Sequence, residues 1–307
     1  MNFPGRVSAI LLTDPQPNEE ALSALIQRIV GTDPRLATVI LNTYEITTVG
    51  ELVLGLDEMC APTDLYGFSS SGIYVFWHPE TKEVLYIGLA VDLPLRFRHH
   101  NNLTPCAANC CKWPQIQQHF LSYSKLGYTI LAQSTLDQAV CDRWSAVNAN
   151  QMERFMEEFG YHSDDEAKSI LNKQVDRTLR RTEGAMLAGH VQDHGRLPAW
   201  NKIRGLNVNY SDQSLTDARE YLKAATGTTS QFDQLVAKSS LVEMATKPLW
   251  AGYEIHLHGI RLLVRGLGFN WDIAAAKVPD FSGYKKTMAD DGYMNKKAGI
   301  NGVNGVR

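Results

Sequence analysis

Tyr74 and Tyr86 stand twelve residues apart, and Arg96 and His100 follow Tyr86 by ten and fourteen residues. These side chains can do chemistry together. A free phenol titrates near ~10, so it takes up a proton from water only where a cation or metal helps. An arginine stays charged and holds phosphate oxygens in a planar fork. A spacing of four places Arg96 and His100 on one helix face and leaves Arg98 on another. Cationic groups of this kind stabilise the charge that develops when a phosphodiester is attacked. Each feature also has an ordinary reading. Strand tyrosines commonly pack a core, and a basic helix is commonly a solvated face.

The flanking residues show which elements would position this set. Gly72-Ile73-Tyr74-Val75-Phe76-Trp77 is an apolar run, His78 to Glu83 is a polar turn, and Val84-Leu85-Tyr86-Ile87-Gly88 is a second apolar run. That pattern predicts a β-hairpin with one tyrosine per strand. Side chains alternate along a strand, so the two hydroxyls can converge on one face. Leu89-Ala90-Val91 leads into a helix with Leu93, Arg96, Phe97 and His100. Further helices are expected from Pro114 to Lys125, from Leu136 to Phe159, and from Asp164 toward Leu187. Tyr128 to Leu131 reads as a third strand, and Gly195 to Asn201 as a loop.

Upstream, residues 15–60 read as three helices: one with Leu22, Leu25, Ile26 and Val30, one with Leu36, Val39 and Leu41, and one beginning at Val49. Downstream, helices are expected at 214–225, 231–246 and about 250–267. A tail from Asp280, rich in Gly, Lys and Asn, is expected to be poorly ordered. This gives an N-terminal helical region (1–66), a central module (67–204) with a helical insertion about 132–175, and a C-terminal helical region (205–307).

The chain of 307 residues is 44% apolar and 21% charged, enough to bury a real core. No run of 18 uncharged apolar residues is present, so no membrane span is expected. Five cysteines form no regular framework, and the N-terminus lacks a signal-peptide pattern, which together point to a reducing, cytoplasmic setting. The net charge of −3 argues against strong general affinity for nucleic acid, but the charge is uneven. Residues 1–66 hold three basic and nine acidic side chains, whereas residues 168–204 hold eight and three. Lys173, Arg177, Arg180 and Arg181 form a helical stripe that could track a nucleic-acid backbone or simply face solvent. Cys106, Cys110 and Cys111 near His99 and His119 are too irregular for a zinc site and read as free thiols. His256 and His258 after Glu254 are a weaker metal candidate still.

The blocks Gly72-Ile73-Tyr74 and Tyr86-Ile87-Gly88, with Arg96 and His100 behind them, resemble the GIY-YIG nuclease family. The resemblance implies an α+β fold, with a small three-stranded antiparallel sheet flanked by helices. It also implies a metal-dependent endonuclease acting on DNA, with one Mg²⁺ or Mn²⁺ held by a glutamate on a later helix. Pro198-Ala199-Trp200-Asn201 matches the family's asparagine segment, and Thr182-Glu183-Gly184 its glutamate-bearing helix, which points to Glu183 as metal ligand; Glu153 and Glu157 compete. In the implied mechanism Tyr74 takes the proton from the attacking water and Arg96 steadies the phosphate. Tyr86 and His100 orient groups or relay protons. Arg98, Arg180, Arg181 and Asn201 contact nucleic acid, with Asn201 also buttressing the site. Two departures stand out: Leu89 replaces a polar residue after the second block, and Asp92 replaces an asparagine before Leu93. Restriction or phage defence is the first expected role, and homing or mobile-element cleavage the second. A non-catalytic DNA-binding or assembly protein and a homo-oligomer remain open.

Overall fold

The computed structural model describes residues 36–60, 68–106, 111–134, 164–206, 208–280 and 283–296. Elements are numbered within these. Leu36-Ala37-Thr38-Val39-Ile40-Leu41 is buried on both faces, and it forms strand β1 (Leu36–Tyr44) rather than the expected helix. A short, continuously apolar run has no period that separates strand from helix; pairing with β4 decides it here. Helix α1 (Val49–Met59) follows, close to the expected third helix.

Strands β2 (Phe68–Trp77) and β3 (Val84–Ala90) form the predicted hairpin. Its turn is closed by His78 N–H to Glu83 O at 2.8 Å. Helix α2 (Leu93–His100) carries Arg96 and His100. Asp92 caps it by accepting the Leu95 amide at 3.0 Å, so an acid in place of asparagine loses nothing as a cap. Helix α3 (Trp113–Phe120) and strand β4 (Leu126–Ser134) come next. The strand order is β1-β4-β2-β3, antiparallel throughout. The sheet therefore has four strands, not three, and the extra strand comes from within residues 1–66. The Leu136–Phe159 helix, the first N-terminal helix, Glu153, Glu157 and most of the 132–175 insertion lie outside the described residues.

Helix α4 (Asp164–His194) is 31 residues long, about 46 Å at 1.5 Å per residue. It is followed by α5 (Asp212–Thr226), α6 (Leu241–Thr246), α7 (Pro248–Leu267), α8 (Trp271–Lys277) and α9 (Tyr284–Asp290). The expected helix over 231–246 is interrupted. Val236 bridges Val39, and the Ala237 amide donates to Val39 O at 2.8 Å. An edge strand needs partners for its outward backbone groups, and β1 takes them from this segment. The tail beyond Asp280 is also more ordered than expected up to Lys296, whose ammonium binds Glu243 at 2.9 Å, while Tyr293 is buried.

The sheet separates two cores. Tyr74, Phe76, Leu93, Phe97 and Tyr128 pack with α1, α2 and α6 on one face. Ile73, Val75, Trp77 and Ile87 pack with α4 and α5 on the other. Edge strand β3 is where the two layers meet, and the candidate site lies there.

Candidate active site

Phe76 pairs with Tyr86 and Tyr74 with Gly88 across the hairpin. Cross-strand partners share a face, so both phenols project toward α2. Their ring centroids are 5.8 Å apart. Gly88 makes this arrangement fit: a Cβ there would stand 2.6 Å from both the Tyr74 hydroxyl and the Tyr86 ring.

His100 reaches the pair from α2, its Nε2 2.7 Å from the Tyr74 hydroxyl. The Lys112 amide donates to His100 Nδ1 at 3.0 Å. A backbone N–H can only donate, so Nδ1 is the acceptor and the proton sits on Nε2. His100 thus donates to Tyr74. Burial, then the charges of Arg96 and Lys112, push its pKa down to about 3, and it stays neutral.

Tyr74 is 1% exposed. Burial raises its pKa well above the usual phenol value, and its contacts with Tyr86 raise it further. Burial also raises Tyr86, but there the hydroxyl of Tyr74 acts in the opposite sense and lowers it. A directed chain runs from the Lys112 amide through His100 to the Tyr74 hydroxyl, with the Tyr86 ring 5.8 Å from that of Tyr74. Tyr86 is only partly buried.

Glu183 comes from α4 on the other layer and acts electrostatically on Tyr86 across the β3 edge. Burial raises its pKa to about 7, with Asp176 adding to the rise and Arg180 and Arg96 opposing it. Arg96 also influences Tyr74, Tyr86 and His100. Tyr74, Tyr86 and His100 are thus in contact, and Arg96 and Glu183 lie within electrostatic range of them. No group of three His, Cys, Asp or Glu suited to a metal exists among the described residues. A lone half-buried carboxylate fits Mg²⁺ chemistry, in which one or two carboxylates bind and water or phosphate fills the remaining positions.

Asn201 binds strand β3 through both atoms of its side-chain amide. Its Oδ1 accepts the Ile87 amide at 2.9 Å and its Nδ2 donates to Ile87 O at 2.8 Å. The Trp200 amide adds a bond to Leu85 O at 2.8 Å. Together they cover the free edge of β3.

The other basic candidates divide. Arg98 forms a two-pronged ion pair with Asp57, which ties α2 to α1. Arg180 is exposed and paired with Asp176 at 2.6 Å, one turn of α4 before Glu183. Arg181 points toward α5 and lines a cavity of about 210 Å³ with Tyr210, Ser214 and Asp217. Cys60, Cys106 and Cys111 are free thiols, and Cys110 lies outside the described residues. His119 bonds Lys125 O at 2.8 Å, and His258 bonds Thr38 at 2.7 Å. Leu89 packs against the core on the α4 side.

Lys112 is the residue the sequence did not disclose. Its ammonium lies 4.5 Å over the Tyr86 ring and donates to Trp200 O at 3.0 Å. Burial, then repulsion from Lys202, lowers its pKa. It sits just before α3 beside the cysteine cluster, with no motif to mark it. Comparison of the chain with protein-family models, curated proteins and solved structures finds no match.

Proposed function

We propose that this protein is a divalent-metal-dependent phosphodiester hydrolase of GIY-YIG type that cuts DNA. The observation that supports it is the convergence of a phenol pair, a guanidinium and a half-buried carboxylate at the edge of β3 from segments about a hundred residues apart. A half-buried carboxylate on α4 whose pKa burial raises marks a candidate functional site.

Glu183 is the residue that would hold Mg²⁺ or Mn²⁺, and such an ion would supply acidification of the attacking water and neutralisation of the leaving oxygen. Arg96 grips a non-bridging phosphate oxygen and offsets the charge that grows as water attacks phosphorus and the P–O bond breaks. Tyr86 takes the position facing the water. Its hydroxyl offers a hydrogen and a lone pair to the nucleophile. Tyr74 does not contact water in this scheme. It is sealed from solvent, so it does not take the proton expected of it; with a cation held at Glu183, the attacking water, oriented by Tyr86, would release that proton to bulk solvent and the leaving oxygen would take one back from solvent. Neutral His100 fixes the direction of the chain rather than carrying a proton.

Supercoiled plasmid cleavage with Mg²⁺ or Mn²⁺ tests this. Arg96→Ala and Glu183→Gln should each cut at least ~100-fold more slowly than the parent, the loss typical of removing one charge-stabilising group. Both variants cutting at the parental rate would overturn the assignment.

A further inference from the structure

Between two anchors on the rim of this site, three consecutive residues project into solvent. The first anchor is Asn201, clamped to Ile87 through both amide atoms. The second is Gly205. Its φ of +72° suits glycine, and a Cβ there would approach the Gly184 backbone, next to Glu183, to 3.0 Å. Tyr210 reinforces it by donating to Leu206 O at 3.0 Å. Lys202, Ile203 and Arg204 lie between, all exposed, with Ile203 at 75%. Trp200, just before Asn201, accepts the Lys112 ammonium on its carbonyl at 3.0 Å, and that ammonium lies 4.5 Å over the Tyr86 ring, which places the start of this span beside Tyr86.

A single exposed apolar side chain is unremarkable by itself. Leu121, at 79%, is one, flanked by Phe120 and Ser122 on an open helix end. Ile203 differs in three ways. It is held on a short span fixed at both ends, a cation stands on either side of it, and the span borders the candidate catalytic carboxylate. Apolar side chains so placed enter base steps and unstack them while cations hold the neighbouring phosphates.

We propose that Lys202-Ile203-Arg204 is a duplex wedge: Ile203 inserts at a base step beside the bond to be cut, and Lys202 and Arg204 grip the flanking phosphates. This rests on the nuclease reading above. Insertion would open the helix locally and let a phosphate descend to Arg96 and Glu183, which a straight duplex backbone reaches poorly at a half-buried site.

Insertion unwinds DNA, so the test is topological and needs no knowledge of the target sequence. Plasmid is relaxed by a metal-independent topoisomerase with the full chain bound in Ca²⁺, and its linking number is read after deproteinisation. The parent should lower the linking number in proportion to the protein bound. Ile203→Gly should bind plasmid within about twofold of the parent yet lose the shift, because phosphate contacts carry most of the affinity. Ile203→Leu should keep it. Lys202→Ala with Arg204→Ala should flatten the salt dependence of binding by about 1.8 in log–log slope, for two phosphate contacts. Mg²⁺-dependent cleavage by the parent is measured alongside. If the parent cleaves but leaves the linking number unchanged, or Ile203→Gly shifts it equally, the wedge is wrong and the nuclease assignment survives. If the parent neither binds nor cuts, both fall.

Discussion

Glu183 sits in a position where its charge is costly. Burial raises its pKa to about 7, above the value near ~4.3 of an exposed glutamate. Below the unfolded value both states are protonated and nothing is lost. As pH rises toward 7 the unfolded chain releases this proton while the folded chain keeps it, so the folded state is progressively penalised, and the full penalty is present above 7. Glu183→Gln should therefore raise the metal-free melting temperature at pH 8 and leave it nearly unchanged at pH 4. Adding Mg²⁺ at pH 8 should raise the melting temperature of the parent and not of the variant, since only an ionised carboxylate gains from the cation. Differential scanning fluorimetry at the two pH values, with and without Mg²⁺, reads both effects. Equal metal-induced shifts in parent and variant would place the ion elsewhere. Gly88 carries the complementary residue-scale lesson: its missing side chain is the space in which two phenols meet.

At the scale of elements, the vulnerable part is the outer edge of β3. A strand edge exposes a row of backbone donors and acceptors. Here the loop from Pro198 to Asn201 covers it, and Asn201 satisfies both polar groups of Ile87. Asn201→Ala would leave those groups facing a gap, at a cost of about 1–3 kcal/mol. The urea midpoint should fall accordingly, with an unchanged m-value. Asn201→Asp should do more harm than its near-identical shape suggests. A carboxylate can accept the Ile87 amide but cannot donate to the Ile87 carbonyl. Equal midpoints for Asn201→Asp and the parent would mean that this clamp contributes nothing.

At the scale of the molecule, the helices after residue 205 cover the sheet rather than hang from it. Tyr221 donates to Leu36 O, Leu241 donates to the Asn42 side chain at 2.8 Å, and His258 meets Thr38. The buried Arg261–Glu254 pair, 1% and 0% exposed, is completed by Tyr293 at 2.8 Å and the Lys238 amide at 2.8 Å. One consequence is acid sensitivity. Burial holds His100 and His258 down to about 3 in the folded state, against ~6.5 in the unfolded chain. Both stay neutral when folded and charge on unfolding. These two groups leave stability unaffected above pH 7 and lower it between about 6 and 3, at up to about 2.7 kcal/mol per pH unit for two protons; above about 4.3 the opposite slope of Glu183 offsets part of this, so the steepest fall lies below it. Urea unfolding across that range measures the slope. His258→Asn should reduce it by about half, and an unaltered slope would exclude His258 as a source.

Hairpin, turn, arginine helix and asparagine loop were legible because each is local. Two apolar runs, a polar turn between them and a spacing of four are properties of neighbouring residues. Residues 36–44 were not legible as a strand, because a run buried on both faces at every position but Thr43 carries no period; β4 and the Val236 segment decide its state. The interrupted helix over 231–246 has the same origin, a sheet edge that demanded backbone partners. At the site, residue identities came from the chain, but the division of labour did not. Which tyrosine is sealed and which faces outward, where Arg98 is held, and that Lys112 lies over Tyr86 depend on how two layers close around one edge strand. The sequence by itself determined which chemical groups are available and which of them are neighbours along the chain. Only the tertiary structure decided burial and the direction of hydrogen bonds, because both depend on atoms supplied by segments far apart in sequence.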